Sequence, residues 1–284
     1  MFPCSDRLKT AFLALLWGAV VAPVVPAMID TWLSHSDNSH AILVPFISLY
    51  FAWTKREELQ SSVNTRGSFW GGVVLTLCLT LYLICYIGGV AFGARLMIVG
   101  SLTGLIWNCF GWSFLRVLTF PLGFLFFMVP IPDTFLNIVS FPLQLQATEI
   151  STWVISLFSI PVYREGNMLY LAQTQLEVAE ACSGIRSVVS LIMLSILLAY
   201  LTNNGNWWKK IVLVLCAIPV ALVANIFRVS CTGILAHLYG DQVARGFLHD
   251  FSGVVVFVFG FAIMFVLVRL LSLMTVPSAR DKSI

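Results

Sequence analysis

The sequence predicts an all-α fold, a polytopic bundle of about eight transmembrane helices with a small outer cap containing an interfacial helix and a hairpin. Of the 284 residues, 59% are hydrophobic and only 10% are charged, whereas soluble domains carry roughly 25% charged residues. The apolar residues form long continuous runs, and a spanning helix needs about 20 of them. These runs lack the alternation of a membrane β-barrel. With a net charge of only +3 and no basic stripe, nucleic acid is not an expected partner.

Eight apolar runs qualify as candidate spans. They cover residues 10–29, 41–54, 69–92, 96–112, 115–131, 183–202, 210–236 and 251–274. The first run resembles a signal peptide, but Pro23 and Pro26 interrupt it and no small-residue cleavage site follows, so we interpret it as a retained helix. No internal repeat is evident, and we expect a single transmembrane domain over residues 1–284.

The distribution of lysine and arginine predicts the orientation, because these residues accumulate in cytoplasmic loops. With the N-terminus inside, the cytoplasmic side holds eleven of them: Arg7, Lys9, Lys55, Arg56, Arg66, Arg116, Lys209, Lys210, Arg269, Arg280 and Lys282. The outer side holds three, namely Arg95, Arg164 and Arg245. Arg186 and Arg228 are not counted because they lie within or at the ends of spans. Eight spans also return the C-terminus to the cytoplasm.

The largest predicted outer segment covers residues 132–181. Residues 135–159 have the mixed polarity of a helix that lies in the membrane interface. Gly166 and Asn167 separate two β-prone runs, which indicates a hairpin turn. This cap leads directly into the sixth span, where a cysteine is followed by small residues.

Three residue types suited to catalysis reach the same outer level of the membrane from three spans. Arg228 lies about 26 Å along the seventh span, counted from Ile211 at 1.5 Å per residue. Cys182 precedes the sixth span and His249 precedes the eighth. A charged residue inside a membrane is costly and usually functional. The predicted topology therefore brings these three residues together.

Their chemistry fits nucleophilic catalysis. A cysteine thiolate can attack a carbonyl and form a thioester, and a histidine can hold or deliver the proton. Arginine stays charged when partly desolvated and can stabilise the thiolate or an oxyanion. Ser183 and Gly184 would add small residues and free N–H groups at a helix N-terminus, which favours negative charge.

Three motifs resemble those of the exosortase/archaeosortase family. Residues 180–187 (EACSGIRS) are similar to its nucleophile motif, residues 225–228 (NIFR) to its arginine motif, and residues 249–253 (HDFSG) to its histidine motif. Weaker likenesses occur at residues 39–45, 129–132 and 164–167. The resemblance covers about residues 30–265, and the ordered trio on successive spans is more specific than any single motif.

The resemblance implies a membrane-embedded cysteine endopeptidase/transpeptidase in the cytoplasmic membrane, with its active site facing the periplasm or exterior. Its expected substrates are secreted proteins with a C-terminal sorting signal of the Pro-Glu-Pro (PEP-CTERM) type, which it cleaves and transfers to an unknown acceptor. Such systems accompany exopolysaccharide production. The implied catalytic residues are Cys182, Arg228 and His249, and the supporting residues are Ser183, Gly184, Arg186, Glu180, Asn225 and Gly253. No metal or organic cofactor is implied, and the lipid bilayer is the other partner.

Several residues have simpler interpretations. The simpler interpretation of Arg228 is a structural arginine paired with an acid such as Glu177 or Glu180. Independently, the simpler interpretation of His249 is a polar residue at a helix start. Arg186 binds a substrate carboxylate or extends to the interface. Both glutamates suit a solvated loop. The acids and histidines at positions 30, 35, 37 and 40 match no standard metal spacing, so a polar loop is favoured.

Two rival residues and two other functions are weighed against this interpretation. Cys231 lies near the face of Arg228 but lacks the Ser-Gly context, and His237 lies half a turn away from Arg228. The main alternative function is a secondary transporter or lipid-linked carrier that binds an anion through Arg228 and Arg186. The sequence shows no pair of broken-helix repeats that would favour it. A non-catalytic scaffold for polysaccharide export is the third alternative.

Overall fold

The computed structural model describes residues 4–34, 36–63, 68–172, 174–178, 184–202, 206–240 and 247–273. The chain forms two compact units, Met1–Pro132 and Asp133–Ile284. Each unit is described by itself, and the expectation of one domain over the whole chain stays a prediction.

The first unit is helical in its described part. Its α-helices are α1 (Cys4–Val21), α2 (Val25–Ser34), α3 (Leu43–Thr54), α4 (Arg56–Ser62), α5 (Phe69–Ile87), α6 (Ala91–Val117) and α7 (Thr119–Phe124). Short 3₁₀ helices cover Ser36–Ile42 and Leu125–Met128. The chain bends by 57° between α1 and α2, at the point where Pro23 and Pro26 interrupt the first apolar run.

The second unit contains four α-helices and a small sheet in its described part. The helices are α8 (Asp133–Leu157), α9 (Gly184–Leu201), α10 (Trp207–Tyr239) and α11 (Phe247–Leu273). The strands are β1 (Val162–Glu165), β2 (Met168–Leu171) and β3 (Gln175–Glu177), and they pair antiparallel in the order β1-β2-β3. The protein is thus a predominantly helical membrane protein, with the sheet as its only β-structure among the described residues.

The prediction of eight spans is not confirmed. Among the described residues, four helices are long and apolar enough to cross a membrane, and a fifth is added when the bent pair α1–α2 is counted as one span. The four are Phe69–Ile87, Ala91–Val117, Trp207–Tyr239 and Val255–Leu273. Two predicted spans, 41–54 and 115–131, instead contain short helices. At 1.5 Å per residue, the 12 residues of α3 extend about 18 Å, well short of a hydrocarbon core of about 30 Å.

The two short apolar helices pack against each other. The Ser48 hydroxyl of α3 donates a 2.7 Å hydrogen bond to the carbonyl oxygen of Pro121 in α7. The rings of Phe51 and Phe120 meet edge to face, 5.3 Å apart. The break before α7 begins inside α6 at Gly111, whose φ of 83° is not helical. A left-handed conformation of this kind is readily available only to glycine. The predicted border between the fourth and fifth spans is therefore a kink at Gly111 followed by short helices.

Helices α5 and α6 form an antiparallel hairpin held together by small residues. A Cβ added at Gly104 would lie 2.5 Å from the backbone nitrogen of Leu75, and one added at Gly71 would lie 2.3 Å from that of Asn108. A Cβ at Gly100 would lie 2.9 Å from the sulfur of Cys78. Small residues permit such close approach of membrane helices. Cys78 acts here as a small packing residue, as expected for cysteines inside apolar runs.

We expect Gly104→Ala to destabilise the first unit, because the new methyl group meets backbone atoms that cannot rotate away. Overpacking of this kind costs about 1–3 kcal/mol. Gly18→Ala is the matched control, since a Cβ at Gly18 meets nothing within 4 Å. Thermal unfolding of the purified proteins in detergent should show a lower midpoint for Gly104→Ala and no decrease for Gly18→Ala. Equal midpoints for both variants would contradict the close packing of α5 on α6.

The predicted hairpin is present in the second unit. Glu165 pairs with Met168 across the two-residue turn formed by Gly166 and Asn167. Gly166 has a φ of 61°, as the first central position of a type II′ turn requires. The buried side chains Leu169, Leu171 and Leu176 form a core with Ile155 of α8 and Val229 of α10. The sheet therefore packs on two helices of its own unit, and its position outside the membrane stays a prediction.

Helix α8 lies alongside α10 rather than across it. Ser151 of α8 donates a 3.4 Å hydrogen bond to the carbonyl oxygen of Ile226, and Ile155 packs where a Cβ of Gly233 would be. The contacts advance in the same direction along both helices, so the two run parallel. A helix lying flat in the interface would meet a spanning helix at one level only. The predicted helix at 135–159 is present with nearly these bounds, but its packing differs from that of an interfacial helix.

A buried lysine links α10 to α11 at one end of the bundle formed by α9, α10 and α11. Lys209, near the start of α10, is only 4% exposed, and its Nζ donates to the carbonyl oxygen of Leu271 in the last turn of α11. The carbonyl groups of a last helical turn have no partner within the helix, and a lysine there also complements the helix dipole. Lys209, predicted from the sequence as a loop charge, is therefore part of the packing.

We expect Lys209→Met to lower the stability of the second unit, because it leaves the carbonyl of Leu271 without this donor. The loss of such a partner costs about 1–3 kcal/mol. Lys210→Met removes the same charge from the neighbouring position, which is less buried, and serves as control. A lower thermal midpoint for Lys209→Met than for Lys210→Met is the expected result. An equal decrease of the thermal midpoint in both variants would show that the loss of charge, and not the loss of the hydrogen bond to Leu271, lowers the stability.

Candidate active site

Arg228 ends a stripe of small buried residues on α10. Ala217, Ala221, Ala224 and Arg228 recur at intervals of four, three and four residues, which places them on one helix face at ~100° per residue. The three alanines are 0–2% exposed and Arg228 is 5% exposed. We call this face the alanine stripe. Because alanine side chains are small, a neighbouring helix can approach this face closely.

The neighbour on the alanine stripe is α9. Ala217 and Ala221 share a core with Leu191 and Ala199 of α9, and Val188 lines a small cavity together with Ala221 and Asn225. Residues later in α10 contact residues earlier in α9, so the two helices are antiparallel. Continuing this register for one turn brings Arg228 level with Gly184, the first described residue of α9. Arg228 thus lies on the face of α10 that packs on α9, near the N-terminus of α9.

Helix α11 is parallel to α9. The side chain of Leu191 lies 3.1 Å from the position of a Cβ at Gly260, and farther along both helices Thr202 and Leu271 line one cavity. Leu191 of α9 and Gly260 of α11 are in contact. Gly184 lies seven residues before Leu191, and Gly253 lies seven residues before Gly260. Equal rise along parallel helices therefore brings Gly184 and Gly253 to the same level. His249 precedes Gly253 by one turn.

The remaining candidate residues lie partly outside the described part of the chain. Glu180, Cys182 and Ser183 precede the first described residue of α9, and the side chains of Arg186 and His249 are likewise outside the described residues. The described members are Arg228, Asn225, Gly184 and Gly253. The register of three helices brings these four within about two turns of one another. The catalytic assignments of Cys182, Arg228 and His249 stay predictions.

The described end of the bundle favours negative charge. A guanidinium that is 95% buried attracts anions strongly, because the surrounding dielectric is low. The first backbone N–H groups of α9 have no partner within the helix and carry the positive end of its dipole. Both features are of the kind that stabilises a thiolate, an oxyanion or a carboxylate in proteins.

The two rival residues lie off the alanine stripe. Cys231 is rotated by ~60° from Arg228 and lies in the interior of α10, where it is half-buried. His237 is rotated by ~180° from Arg228, toward the side where Gly233 packs on Ile155. The Nδ1 atom of His237 is buried without a hydrogen-bond partner among the described residues. Neither residue lies at the N-terminus of α9.

Sequence reasoning missed two features of the site. The first is the alanine stripe, whose spacing of four, three and four residues was visible in the sequence. The second is Gln144 of α8, which lines the same small cavity as Asn225. No local signal identifies Gln144, because it is one of several polar residues in a helix of mixed polarity. Its relevance depends on which face of α8 packs on α10.

These features define a multi-pass α-helical membrane protein with a buried arginine beside a helix N-terminus. The sequence model of the family described as transmembrane exosortase matches residues 32–266. The chain belongs to this family, which is a family of transmembrane proteases and transpeptidases. Comparisons with curated proteins and with solved structures gave no match. The matched region includes every candidate site residue.

Proposed function

We propose that this protein is a cysteine endopeptidase/transpeptidase that cleaves the C-terminal sorting signal of secreted proteins at the outer face of the cytoplasmic membrane. The observation that carries the proposal is the position of Arg228. It is buried on the face of α10 that packs on α9 and is level with Gly184. Cys182 precedes Gly184 by two residues in the sequence. Membership of the exosortase family supports the reaction class.

The proposed reaction has two steps. The thiolate of Cys182 attacks the scissile carbonyl carbon, and the charge that develops on the oxygen is stabilised by Arg228 and by N–H groups at the start of α9. The C–N bond breaks as His249 gives a proton to the leaving amine, which leaves a thioester on Cys182. An amine acceptor then attacks the thioester and gives transpeptidation, whereas water gives hydrolysis. Either attack gives a proton of the incoming amine or water to His249 and releases the thiolate of Cys182.

The substrate class follows from the family resemblance and from the site. We propose secreted proteins with a PEP-CTERM type sorting signal, whose acidic residue suits the electropositive end of the bundle. Arg186, in the first turn of α9, is the proposed partner of that acid. Glu180, Ser183, Asn225 and Gly253 are proposed to support the site. The acceptor is a nucleophile outside the membrane.

Trapping of the thioester tests the proposal. The purified enzyme is incubated with a substrate that carries the sorting signal, quenched in acid, and examined by intact mass for a covalent adduct that hydroxylamine releases. We expect the adduct with the wild type and with Cys231→Ala, and no adduct with Cys182→Ala. Binding of the substrate without any covalent adduct, and without cleavage, would favour an anion-binding carrier instead.

The proposed orientation is tested by labelling from one side of the membrane. Cysteines are introduced singly at Arg164 and at Lys55 in a cysteine-free variant and treated with a membrane-impermeant maleimide. Because the charge bias predicts Arg164 outside and Lys55 inside, we expect intact cells to label only the Arg164→Cys protein. The Lys55→Cys protein should react only after the membrane is opened. The reverse pattern would invert the orientation and move the proposed active site to the cytoplasm.

A further inference from the structure

A small cavity lies between α8, α9 and α10, one turn from Arg228. Its volume is about 20 Å³. Its polar lining consists of Ser140, Gln144 and Asn225, and Leu143, Val188 and Ala221 are among its apolar neighbours. We call it the amide cavity, because two of its three polar groups are carboxamides. All three helices belong to the second unit.

The polar groups of the amide cavity are not satisfied by each other. Asn225 is 92% buried, and its carboxamide makes no hydrogen bond to any described residue. The hydroxyl of Ser140 donates a 2.9 Å hydrogen bond to the carbonyl oxygen of Leu136, so its lone pairs stay available to an incoming donor. A buried amide without a partner is costly, and buried polar groups in native proteins almost always have one. Asn225 therefore points to a ligand in the cavity.

The volume and the polar groups of the amide cavity indicate which kind of ligand it can hold. A cavity of 10–15 Å³ or more holds one water molecule when two to four polar groups surround it. Each carboxamide supplies both donors and an acceptor, and Ser140 supplies an acceptor. A peptide segment does not fit in about 20 Å³. We propose that the amide cavity binds one water molecule, held by Asn225, Gln144 and Ser140, and that Gln144 is a positioning residue for Arg228.

The positioning role rests on the proposed function and on helix geometry. Side chains on a helix lean toward its N-terminus, so the side chain of Arg228 extends over the turn that carries Asn225. In the proposed arrangement, the water and Gln144 hold the carboxamide of Asn225, and Asn225 in turn limits the directions in which the side chain of Arg228 can move. Small displacements of a catalytic group lower rates strongly. Gln144 thus acts through Arg228 and does not touch the substrate.

The substitution Gln144→Leu separates positioning from packing. It keeps the volume of the side chain, but the loss of the water leaves Asn225 without a partner and should lower the stability somewhat, so activity is measured per inserted enzyme. Substrate processing per inserted enzyme should fall about tenfold or more. Gln144→Asn, which keeps the carboxamide, should restore part of this activity. Gln146→Leu is the matched control, because Gln146 is exposed on the same helix, and it should process substrate normally.

A high-resolution structure of the wild type in a lipid nanodisc provides a readout that is independent of activity. We expect density for one water molecule within hydrogen-bond distance of the carboxamides of Asn225 and Gln144, and loss of that density in Gln144→Leu. No density there in the wild type would overturn the water site. Normal specific activity in Gln144→Leu would overturn the positioning role. If wild-type enzyme forms no thioester and processes no substrate, the proposed function fails together with the positioning role, while the water site is still judged by the density.

Discussion

Cys182→Ala is expected to abolish processing of a co-expressed substrate, because no other group in the proposed mechanism can form the thioester. Cys182→Ser should retain little activity, since a hydroxyl is a weaker nucleophile without a dedicated base. The measurement is the fraction of substrate cleaved, normalised to the amount of enzyme inserted in the membrane. An effect on abundance is thereby separated from an effect on turnover.

Cys231→Ala is the matched control for the loss of a thiol. Cys231 lies in the interior of α10 and is half-buried, and its replacement by a slightly smaller residue should leave most of the processing intact. Full processing by Cys182→Ala protein at wild-type abundance would exclude the covalent mechanism. Loss of processing in Cys231→Ala with retention in Cys182→Ala would transfer the role of nucleophile to Cys231.

Arg228→Lys and Arg228→Ala are both expected to reduce the rate of processing by a factor of ~10²–10³. This factor corresponds to the free energy of about 3–4 kcal/mol that an oxyanion donor contributes to transition-state stabilisation. Lysine is a poor substitute because arginine presents a planar fork of donors and keeps its proton when desolvated, whereas a buried lysine readily loses its proton. The site of Arg228 is 95% buried, so this difference should be large. The alanine stripe below Arg228 is unchanged in both variants, and insertion should be retained.

A purely structural role for Arg228 makes the opposite prediction. If Arg228 only pairs with an acid, Arg228→Lys should restore most of the activity, and Arg228→Ala should lower the abundance of the protein. The control is Arg269→Lys, because Arg269 is exposed on α11 with its guanidinium 5.2 Å from the ring centre of Phe265. We expect normal processing in this variant. Normal specific activity in Arg228→Lys would remove Arg228 from the catalytic set.

The class of protein, its family and several local features were predictable from the amino-acid sequence. Long apolar runs with few charges require a lipid environment, because each charged residue in the hydrocarbon is costly. The hairpin at Gly166 and Asn167 was predicted correctly, and the interruption noted at Pro23 and Pro26 coincides with the bend between α1 and α2. Such features depend on the backbone preferences of two or three neighbouring residues. The three ordered motifs at residues 180–187, 225–228 and 249–253 likewise identified the family that the comparison confirmed.

The lengths of the helices within the apolar runs, and the pairs of polar residues that face each other, became known only from the packing of the helices. Hydropathy measures the transfer of a segment into lipid, and it does not determine where a helix ends. Runs 41–54 and 115–131 therefore resemble spans, yet they contain short helices that pack together through Ser48 and Pro121. The burial of Lys209 and the inclusion of Gln144 in the amide cavity depend on contacts between helices that are distant in the sequence. A local pattern carries no information about such contacts, because the same polar side chain suits a loop, an interface or a buried site until its neighbours are known.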